Sequence, residues 1–119
     1  MPTVVVHAAA NSWATVAPMP TARSDLAAAT GPDGRIYAIG GGDGTSVLTT
    51  VEAYTPSTNS WATVAPMPTA RSDLAAATGP DGRIYAIGGG DGTSVLTTVE
   101  AYTPSTNSWA TVAPMPTAR

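Results

Sequence analysis

The segment from Asn59 to Thr106 reads NSWATVAPMPTARSDLAAATGPDGRIYAIGGGDGTSVLTTVEAYTPST, and residues 11–58 repeat these 48 residues without one difference. Residues 107–119 repeat the first 13 residues of the unit again, so that only residues 1–10, MPTVVVHAAA, lie outside the repeat. Self-similarity at a fixed period of this length is typical of solenoids and propellers. Natural duplications diverge as neutral substitutions accumulate, and the identity of the two copies therefore indicates a designed protein or, as the less favoured origin, a recent amplification.

Each unit carries the pattern of four short strands. In the second copy we predict strands over residues 72–78, 83–87, 97–102 and 109–113. The first two are joined by Gly79-Pro80-Asp81-Gly82, a tight-turn sequence in which proline presets φ and glycine accepts a positive φ. Alternation along the second strand, Ile84-Tyr85-Ala86-Ile87, places apolar side chains on both faces, and such a strand should be covered on both sides.

Four short antiparallel strands with two apolar faces describe one blade of an all-β propeller rather than a solenoid coil or half of a sandwich. The alanine-rich first strand suits the crowded hub of such a ring. The fourth strand runs into Pro114, and because proline lacks the N–H group that a strand ladder needs, this strand belongs at a sheet edge, at the rim. The predicted organisation is a strand or tail over residues 1–10, a partial repeat with a rim strand over 11–23, and blades over 24–71 and 72–119.

The unit closely resembles the kelch repeat. Its double glycine after an apolar strand is Gly40-Gly41 or Gly88-Gly89, its tyrosine is Tyr54 or Tyr102, and its tryptophan is Trp61 or Trp109. The resemblance implies a β-propeller with the SDLAAAT strand innermost, the tryptophan strand outermost, and these glycines and aromatic residues in structural roles. The perfect repetition is also similar to computationally designed symmetric kelch propellers, which were built without an intended catalytic role. Kelch rings usually carry about six blades, whereas this chain contains two and a remainder.

Two blades leave two blade faces without a neighbour. A face of four strands and five residues covers roughly 320 Å² at the usual strand spacing and rise. Leaving such a face in water forfeits around 8 kcal/mol, which is comparable with the whole stability of a small domain. We therefore expect a homo-oligomer. Three chains would close a ring of six blades, the arrangement that we favour, whereas a dimer or a tetramer would give a smaller or a larger ring.

The rim strands complicate such a ring. Each chain has three of them, beginning near Trp13, Trp61 and Trp109, but only two hub strands. In one arrangement residues 3–7 imitate a third strand and form a half blade with the strand around Trp13. In another, slightly favoured, the N-terminal rim strand replaces the C-terminal one of a neighbouring chain and latches the ring. Disorder of residues 1–10 is the third alternative.

Composition argues against several function classes. The 119 residues carry a formal net charge of −3, with five arginines, no lysine and no cysteine. Scattered arginines in an acidic chain argue against nucleic acid, whose phosphates require clustered cations, and the lack of cysteine excludes disulfides and cysteine-ligated metals. No apolar run approaches the roughly 20 residues of a membrane span, and no signal peptide is recognised. A soluble protein with no cofactor is expected.

Candidate ligand sites are few. Arg23 and Asp25, like Arg71 and Asp73, begin the hub strands, and in kelch domains the corresponding mouth of the ring often binds peptides. Because an aspartate follows each arginine two positions later, the expected result is a neutralised mouth. Peptide or glycan binding at that mouth is the alternative to a purely structural role. His7, the single histidine, could hold a metal only where symmetry gathers several copies.

Two further motifs are interpreted as turns. The loops Gly-Gly-Gly-Asp-Gly-Thr at 40–45 and 88–93 lack the lysine of a P-loop and the alternating carboxylates of an EF-hand. Asp43 and Asp91 are therefore predicted to bond their own backbone, and Asp33 and Asp81 are assigned to turns by the same reasoning. No nucleophile, base and orienting group occur together, so an enzyme is not expected.

Overall fold

The computed structural model describes residues 11–119 and consists of two four-stranded antiparallel sheets. The strands are, in chain order, β1 (Ala27–Thr30), β2 (Ile36–Ile39), β3 (Val51–Thr55), β4 (Ser60–Thr63), β5 (Ala75–Thr78), β6 (Ile84–Ile87), β7 (Val99–Thr103) and β8 (Ser108–Thr111). Sheet 1 has the order β1-β2-β3-β4 and sheet 2 the order β5-β6-β7-β8. The predicted all-β architecture of propeller blades is confirmed. The described part of the chain has no helix that is long and apolar enough to span a membrane.

Tight turns join the strands where the sequence predicts them. In the second copy the Gly79 N–H donates to the Arg83 carbonyl at 2.8 Å, and Gly82 has a φ of 79°. Between β7 and β8 the Asn107 N–H donates to the Pro104 carbonyl at 3.3 Å, with Asn107 at a φ of 50°. Glycine and asparagine tolerate this left-handed region better than other residues, so these turns follow directly from the sequence.

The first strand of each unit is shorter than predicted. The sequence predicts a strand over residues 72–78, whereas β5 begins at Ala75. The reason is Asp73, whose φ of 57° interrupts the extended backbone. Ser72 still pairs with Gly90 through two hydrogen bonds of 2.9 Å, so the chain rejoins the sheet on the other side of this break.

The tryptophan strands β4 and β8 lie at the sheet edges, as predicted. The last strand ends at Thr111, whereas the sequence predicts an end at residue 113. One further ladder bond follows, from the Val112 N–H to the Val99 carbonyl at 3.0 Å, before the chain reaches Pro114. The proline-containing segment then leaves the sheet.

The two sheets contact each other through their first strands, β1 and β5. On this hub side the Asp73 N–H donates to the Asp25 carbonyl at 2.8 Å. Farther out, the rings of Tyr37 and Tyr102 pack with centroids 5.4 Å apart. The buried core between the sheets comprises Ala27, Tyr37, Ile39, Val51, Ala53, Met67, Leu74, Ile84, Ala86 and Tyr102. The hydrophobic core is therefore an interface between blades.

Strand alternation gives each sheet two faces with different neighbours. We call "front" the face that carries Ile36, Ala38 and Tyr54 in sheet 1, and Ile84, Ala86 and Tyr102 in sheet 2. We call "back" the face that carries Tyr37, Ile39 and Val51 in sheet 1, and Tyr85, Ile87 and Val99 in sheet 2. The back of sheet 1 packs on the front of sheet 2. Ile84 is therefore 0% exposed, whereas its identical counterpart Ile36 is 38% exposed.

The N-terminal partial repeat differs from the prediction. The sequence predicts a rim strand over residues 11–23, but these residues form no strand, and Trp13 is 99% exposed. Such a strand requires a third strand of a preceding blade as its partner, and residues 11–119 supply none. Two of the alternatives, the half blade that uses residues 3–7 and the disorder of residues 1–10, lie outside the described residues, and so does His7.

Two glycine substitutions separate backbone strain from close packing of the chain segment that ends at Arg71. Gly34 has a φ of 80° with no heavy atom within 4 Å of an added Cβ, so Gly34→Ala should cost only the left-handed strain, about 1–2 kcal/mol. Gly40 has a φ of 66°, and its Cβ would lie 2.6 Å from the Arg71 carbonyl oxygen. We expect Gly40→Ala to be more destabilising by about 1–3 kcal/mol in urea unfolding, because the segment that ends at Arg71 must then move away from the end of β2. Equal losses for the two variants would contradict close packing of this segment on Gly40.

Candidate functional site

One arginine joins the two sheets. The Arg71 guanidinium reaches into sheet 2, where its Nη2 donates to Oε1 of Glu100 at 2.8 Å. Its Nη1 donates to the backbone carbonyls of Ala86, Gly88 and Thr98 at 3.2, 2.9 and 3.2 Å. Carbonyl groups at the end of β6 and just before β7 thus surround the cation on one side, and the glutamate of β7 faces it on the other.

The backbone of the same residue belongs to sheet 1. The Gly41 N–H donates to the Arg71 carbonyl at 2.8 Å, and the Arg71 N–H donates to the Leu48 carbonyl at 3.2 Å. Gly41 lies at a φ of 95°, which glycine adopts without strain. Arg71 is therefore held by its main chain in one blade and by its side chain in the next.

The other two copies of this arginine each show one half of the arrangement. Arg23 places its guanidinium in sheet 1, where Nη2 donates to Oε1 of Glu52 at 2.7 Å and Nη1 donates to the Gly40 carbonyl at 2.8 Å. Arg119 has its main chain on sheet 2, where the Gly89 N–H donates to its carbonyl at 2.8 Å, while Arg119 itself is exposed. We call Arg23, Arg71 and Arg119 the bridging arginines.

The ion pair of Arg71 and Glu100 is removed from water. Their side chains are 0% and 1% exposed. Both carboxylate oxygens have partners, because the Thr69 Oγ1–H donates to Oε2 of Glu100 at 2.7 Å. Burial lowers the pKa of Arg71 below its usual value, and the negative charge of Glu100 opposes that shift. The guanidinium thus remains charged and depends on Glu100 and the carbonyl groups in place of water.

The segments before Arg23 and Arg71 also dock on the sheet that follows each of them. The Trp109 Nε1–H donates to the Ala65 carbonyl at 2.8 Å, and the Ala65 N–H donates to Oδ1 of Asn107 at 2.9 Å. The same bonds join Trp61 and Asn59 to Ala17. We call residues 17–23, 65–71 and 113–119 the connectors. In this chain connector 17–23 is docked on sheet 1 and connector 65–71 is docked on sheet 2.

The kelch-like aromatic residues hold these docking bonds in place. The Tyr102 hydroxyl donates to Oδ1 of Asn107 at 2.7 Å, the same oxygen that accepts the Ala65 N–H. The rings of Tyr102 and Trp109 have centroids 5.1 Å apart. Tyr54 and Trp61 repeat this geometry in sheet 1. The tyrosine and tryptophan positions thus serve packing and connector binding between blades.

The arginine–aspartate pairs predicted at the mouth of the ring do not form. Arg23 and Arg71 point into the sheets and pair with glutamates, whereas Asp25 and Asp73 are exposed. The positive φ of each aspartate breaks the strand and turns its side chain away from the arginine two residues before it. An acidic ligand would thus meet carboxylates here, and ligand binding at the mouth stays a prediction.

Glu52 and Glu100 were not identified from the sequence. They are the only two glutamates of the chain, and each lies on the front face of its sheet beside a buried tyrosine. An ionisable residue alternating with apolar ones in a predicted strand is a signal of a buried charge that needs a partner. With Arg35 and Arg83 in the turns, the bridging arginines were the available cations.

The aspartates of the turns behave as predicted and also bind side chains. Asp33 accepts the Tyr37 hydroxyl at 2.5 Å and the Arg35 Nε–H at 2.9 Å. Burial alone would raise the pKa of Asp33, but these hydrogen bonds from Tyr37 and Arg35 lower it overall. In the second copy the hydrogen bonds from Tyr85 and Arg83 lower the pKa of Asp81 to about 2.

The aspartates of the glycine-rich loops bond their own backbone. Oδ1 of Asp43 accepts the Ser46 N–H at 2.8 Å and the Thr45 N–H at 2.9 Å. These backbone bonds lower the pKa of Asp43 and, in the second copy, that of Asp91. Across residues 11–119 no three histidine, cysteine, aspartate or glutamate side chains are grouped as metal ligands would be.

Comparison with known proteins assigns the family. The Kelch motif matches twice, at residues 25–68 and 73–116, which together make up most of the chain. The chain therefore belongs to the kelch repeat family, and its two sheets are kelch blades. None of the curated proteins matches it.

Among solved structures, a similar one is a fungal alcohol oxidase, described as having catalytic diversity among the AA5 family and solved in complex with copper. The two share 25% sequence identity with a TM-score of 0.61, over 72% of this chain and 18% of the oxidase. This chain thus spans less than a fifth of that protein, and the copper belongs to the oxidase.

The buried and the exposed ion pair should differ in their effect on stability. Arg71→Met leaves Glu100 buried without its cation, and we expect it to lower the free energy of unfolding by about 3–5 kcal/mol. Arg83→Met, the matched control, removes a pair whose side chains are 34% and 42% exposed and should cost far less, because water and salt screen this pair. Chemical unfolding measures both. A loss of similar size for the two variants would show that Arg71 does not bridge the sheets.

Proposed function

We propose that this protein is a structural module without catalytic activity that associates with copies of itself to form a closed β-propeller. Three chains giving six blades is the preferred assembly, with two or four chains as the other ring sizes. The partner is a second copy of the chain, and the surfaces that meet are the back of sheet 2 and the front of sheet 1.

The observation that carries this proposal is a complementary pair of surfaces left open at the two ends of the chain. Within the chain, Leu74 of the second unit packs against the back of sheet 1 beside Gly40 and Met67. On the back of sheet 2 the equivalent place is a cavity of about 230 Å³ lined in part by Ile87 and Met115.

The side chain that fits this cavity is present on the same molecule. Leu26, the counterpart of Leu74, is half-buried, whereas Leu74 is only 8% exposed. The back of sheet 2 and the front of sheet 1 have the same sequences as the two faces that already pack on each other inside the chain. A second copy can therefore form the same interface with the same residues. Such a head-to-tail interface closes only where the rotation per blade divides the circle.

The origin of the chain belongs to the same proposal. Two units without one difference are what a designed propeller or a recently amplified one would contain, and we favour design. Exact repetition also has a physical consequence, because every interface between blades in the ring would then be identical.

Native mass spectrometry and light scattering across a dilution series test the assembly. We expect the mass of three chains at high concentration, with a melting temperature that falls on dilution because association stabilises only the folded state. A well-folded monomer that melts at the same temperature at every concentration would refute the proposal.

The same isoleucine-to-alanine substitution at two equivalent positions provides a second test. In a lone chain Ile84→Ala creates a cavity and should cost about 2–5 kcal/mol, whereas Ile36→Ala removes a side chain that is already 38% exposed and should cost clearly less. In a closed ring both positions are covered, so the two losses should become equal. Thermal unfolding of each variant above and below the assembly concentration gives the comparison. A difference that persists in the concentrated sample would argue against ring closure.

A further inference from the structure

The closed ring presents each Glu52 with two arginines. Within one chain Glu52 already pairs with Arg23 at 2.7 Å. If a second copy packs its sheet 2 against this sheet 1, Arg119 of that copy arrives in the position from which Arg71 reaches Glu100. One carboxylate, enclosed with carbonyl groups, accommodates one guanidinium, and a second cation beside it would be both repelled and deprived of water. The two connectors therefore exclude each other.

The two competing connectors are held differently in the chain. Connector 113–119 follows β8, which pairs with β7 over four residues, and its last residue is fixed to sheet 2 through the N–H and carbonyl of Arg119. Connector 17–23 is preceded by residues that form no strand, including the fully exposed Trp13. It is held on sheet 1 through Ala17, Thr21 and Arg23. The N-terminal connector can therefore leave without opening a strand ladder.

We propose that connector 17–23 is an internal cap on the docking site of sheet 1, and that connector 113–119 of a second copy replaces it during assembly. In the assembled state Arg119 of one chain pairs with Glu52 of the next, and residues 11–23 are released. This inference rests on the proposed self-association, for which it names the binding segment and the competitor. It reverses the strand exchange favoured from the sequence, in which the N-terminal segment displaces the C-terminal one.

The competition has a defined concentration dependence. Residues 17–23 and 113–119 are both APMPTAR, so each would make the same contacts with sheet 1. They differ in that residues 17–23 belong to the same chain as that sheet, whereas residues 113–119 come from another copy. The cap acts within the molecule, at an effective concentration on the order of millimolar for a short link. The incoming connector arrives together with the apolar faces of two blades, and these faces allow it to displace the cap. Assembly should therefore begin at a higher concentration than it would without the cap.

Matched arginine substitutions test the inference, because it predicts opposite effects for one change at two positions. In the full chain, Arg119→Met should raise the concentration for half-assembly by about tenfold or more, since Glu52 of the next chain gains no cation in exchange for its cap. Arg23→Met should lower that concentration by a similar factor, because the cap loses its anchor and Glu52 then needs Arg119. The reverse strand exchange predicts no effect of Arg119→Met and weaker assembly of Arg23→Met, and that pattern would overturn the inference.

A milder pair of variants avoids a buried unpaired glutamate, in case Arg23→Met does not fold. The Ala17 N–H donates to Oδ1 of Asn59 at 2.9 Å, and proline lacks this donor. Ala17→Pro should therefore weaken the cap and favour assembly, whereas Ala113→Pro should weaken the incoming connector and oppose assembly. Shifts in the same direction for the two variants would contradict the inference.

A peptide experiment separates this inference from the proposed ring. The synthetic peptide APMPTAR is added to the Arg23→Met and Ala17→Pro chains, and the indole N–H resonance of Trp61, which donates to the Ala17 carbonyl in the capped state, is followed by NMR. We expect a saturable shift, and none with the control peptide APMPTAM. Binding by a chain that stays monomeric would refute the ring and support the docking site. A ring that forms while neither chain binds the peptide, and that is unaffected by Arg119→Met, would refute the docking site alone.

Discussion

The fold depends on an arginine whose main chain is bonded to one blade and whose side chain is buried in the next. Removing a guanidinium from water is costly, and the cost is offset only where a carboxylate and correctly placed carbonyl groups replace the solvent. In this protein the main chain of Arg71 belongs to sheet 1, while Glu100 and the three carbonyls belong to sheet 2. A single blade over residues 24–71 or 72–119 therefore satisfies neither its glutamate nor its arginine. The glutamate needs the connector that precedes the blade, and the arginine needs the sheet that follows it.

Because the two units are identical in sequence, any difference in burial between equivalent residues arises from their positions in the structure. Arg71 is fully buried and Arg119 is exposed, although each has the same residues on its N-terminal side. Met67 is 2% exposed, whereas Met115 is only partly covered. Every such difference follows the presence or absence of an adjacent blade. In this chain the environment of a residue is thus set by the position of its blade, and its contribution to stability depends on whether another blade lies beside it.

Much of the fold could be predicted from local signals, and the site could not. The turns at GPDG, the edge position of the tryptophan strands and the two apolar faces all follow from glycine, proline and alternation. The break at Asp73 was missed because an aspartate with positive φ looks like any other residue at the start of a strand. The pairing of Arg71 with Glu100 was missed because it joins two sheets across 29 residues, and only the register of the connector brings the groups together. The aspartate two residues away was the nearer but incorrect partner.

The four-residue turn between β3 and β4 determines which of several identical strands pairs with β3 during folding. Thr55 pairs with Ser60, yet Ser108 lies in an identical strand and would make the same ladder. Loop-closure entropy favours the nearer strand by about 2 kcal/mol, since the intervening chain is roughly tenfold shorter. Chain connectivity, rather than any difference in side chains, thus protects the molecule from topological misassembly. Lengthening that turn would reduce this entropic preference and promote chains in which β3 pairs with the wrong strand.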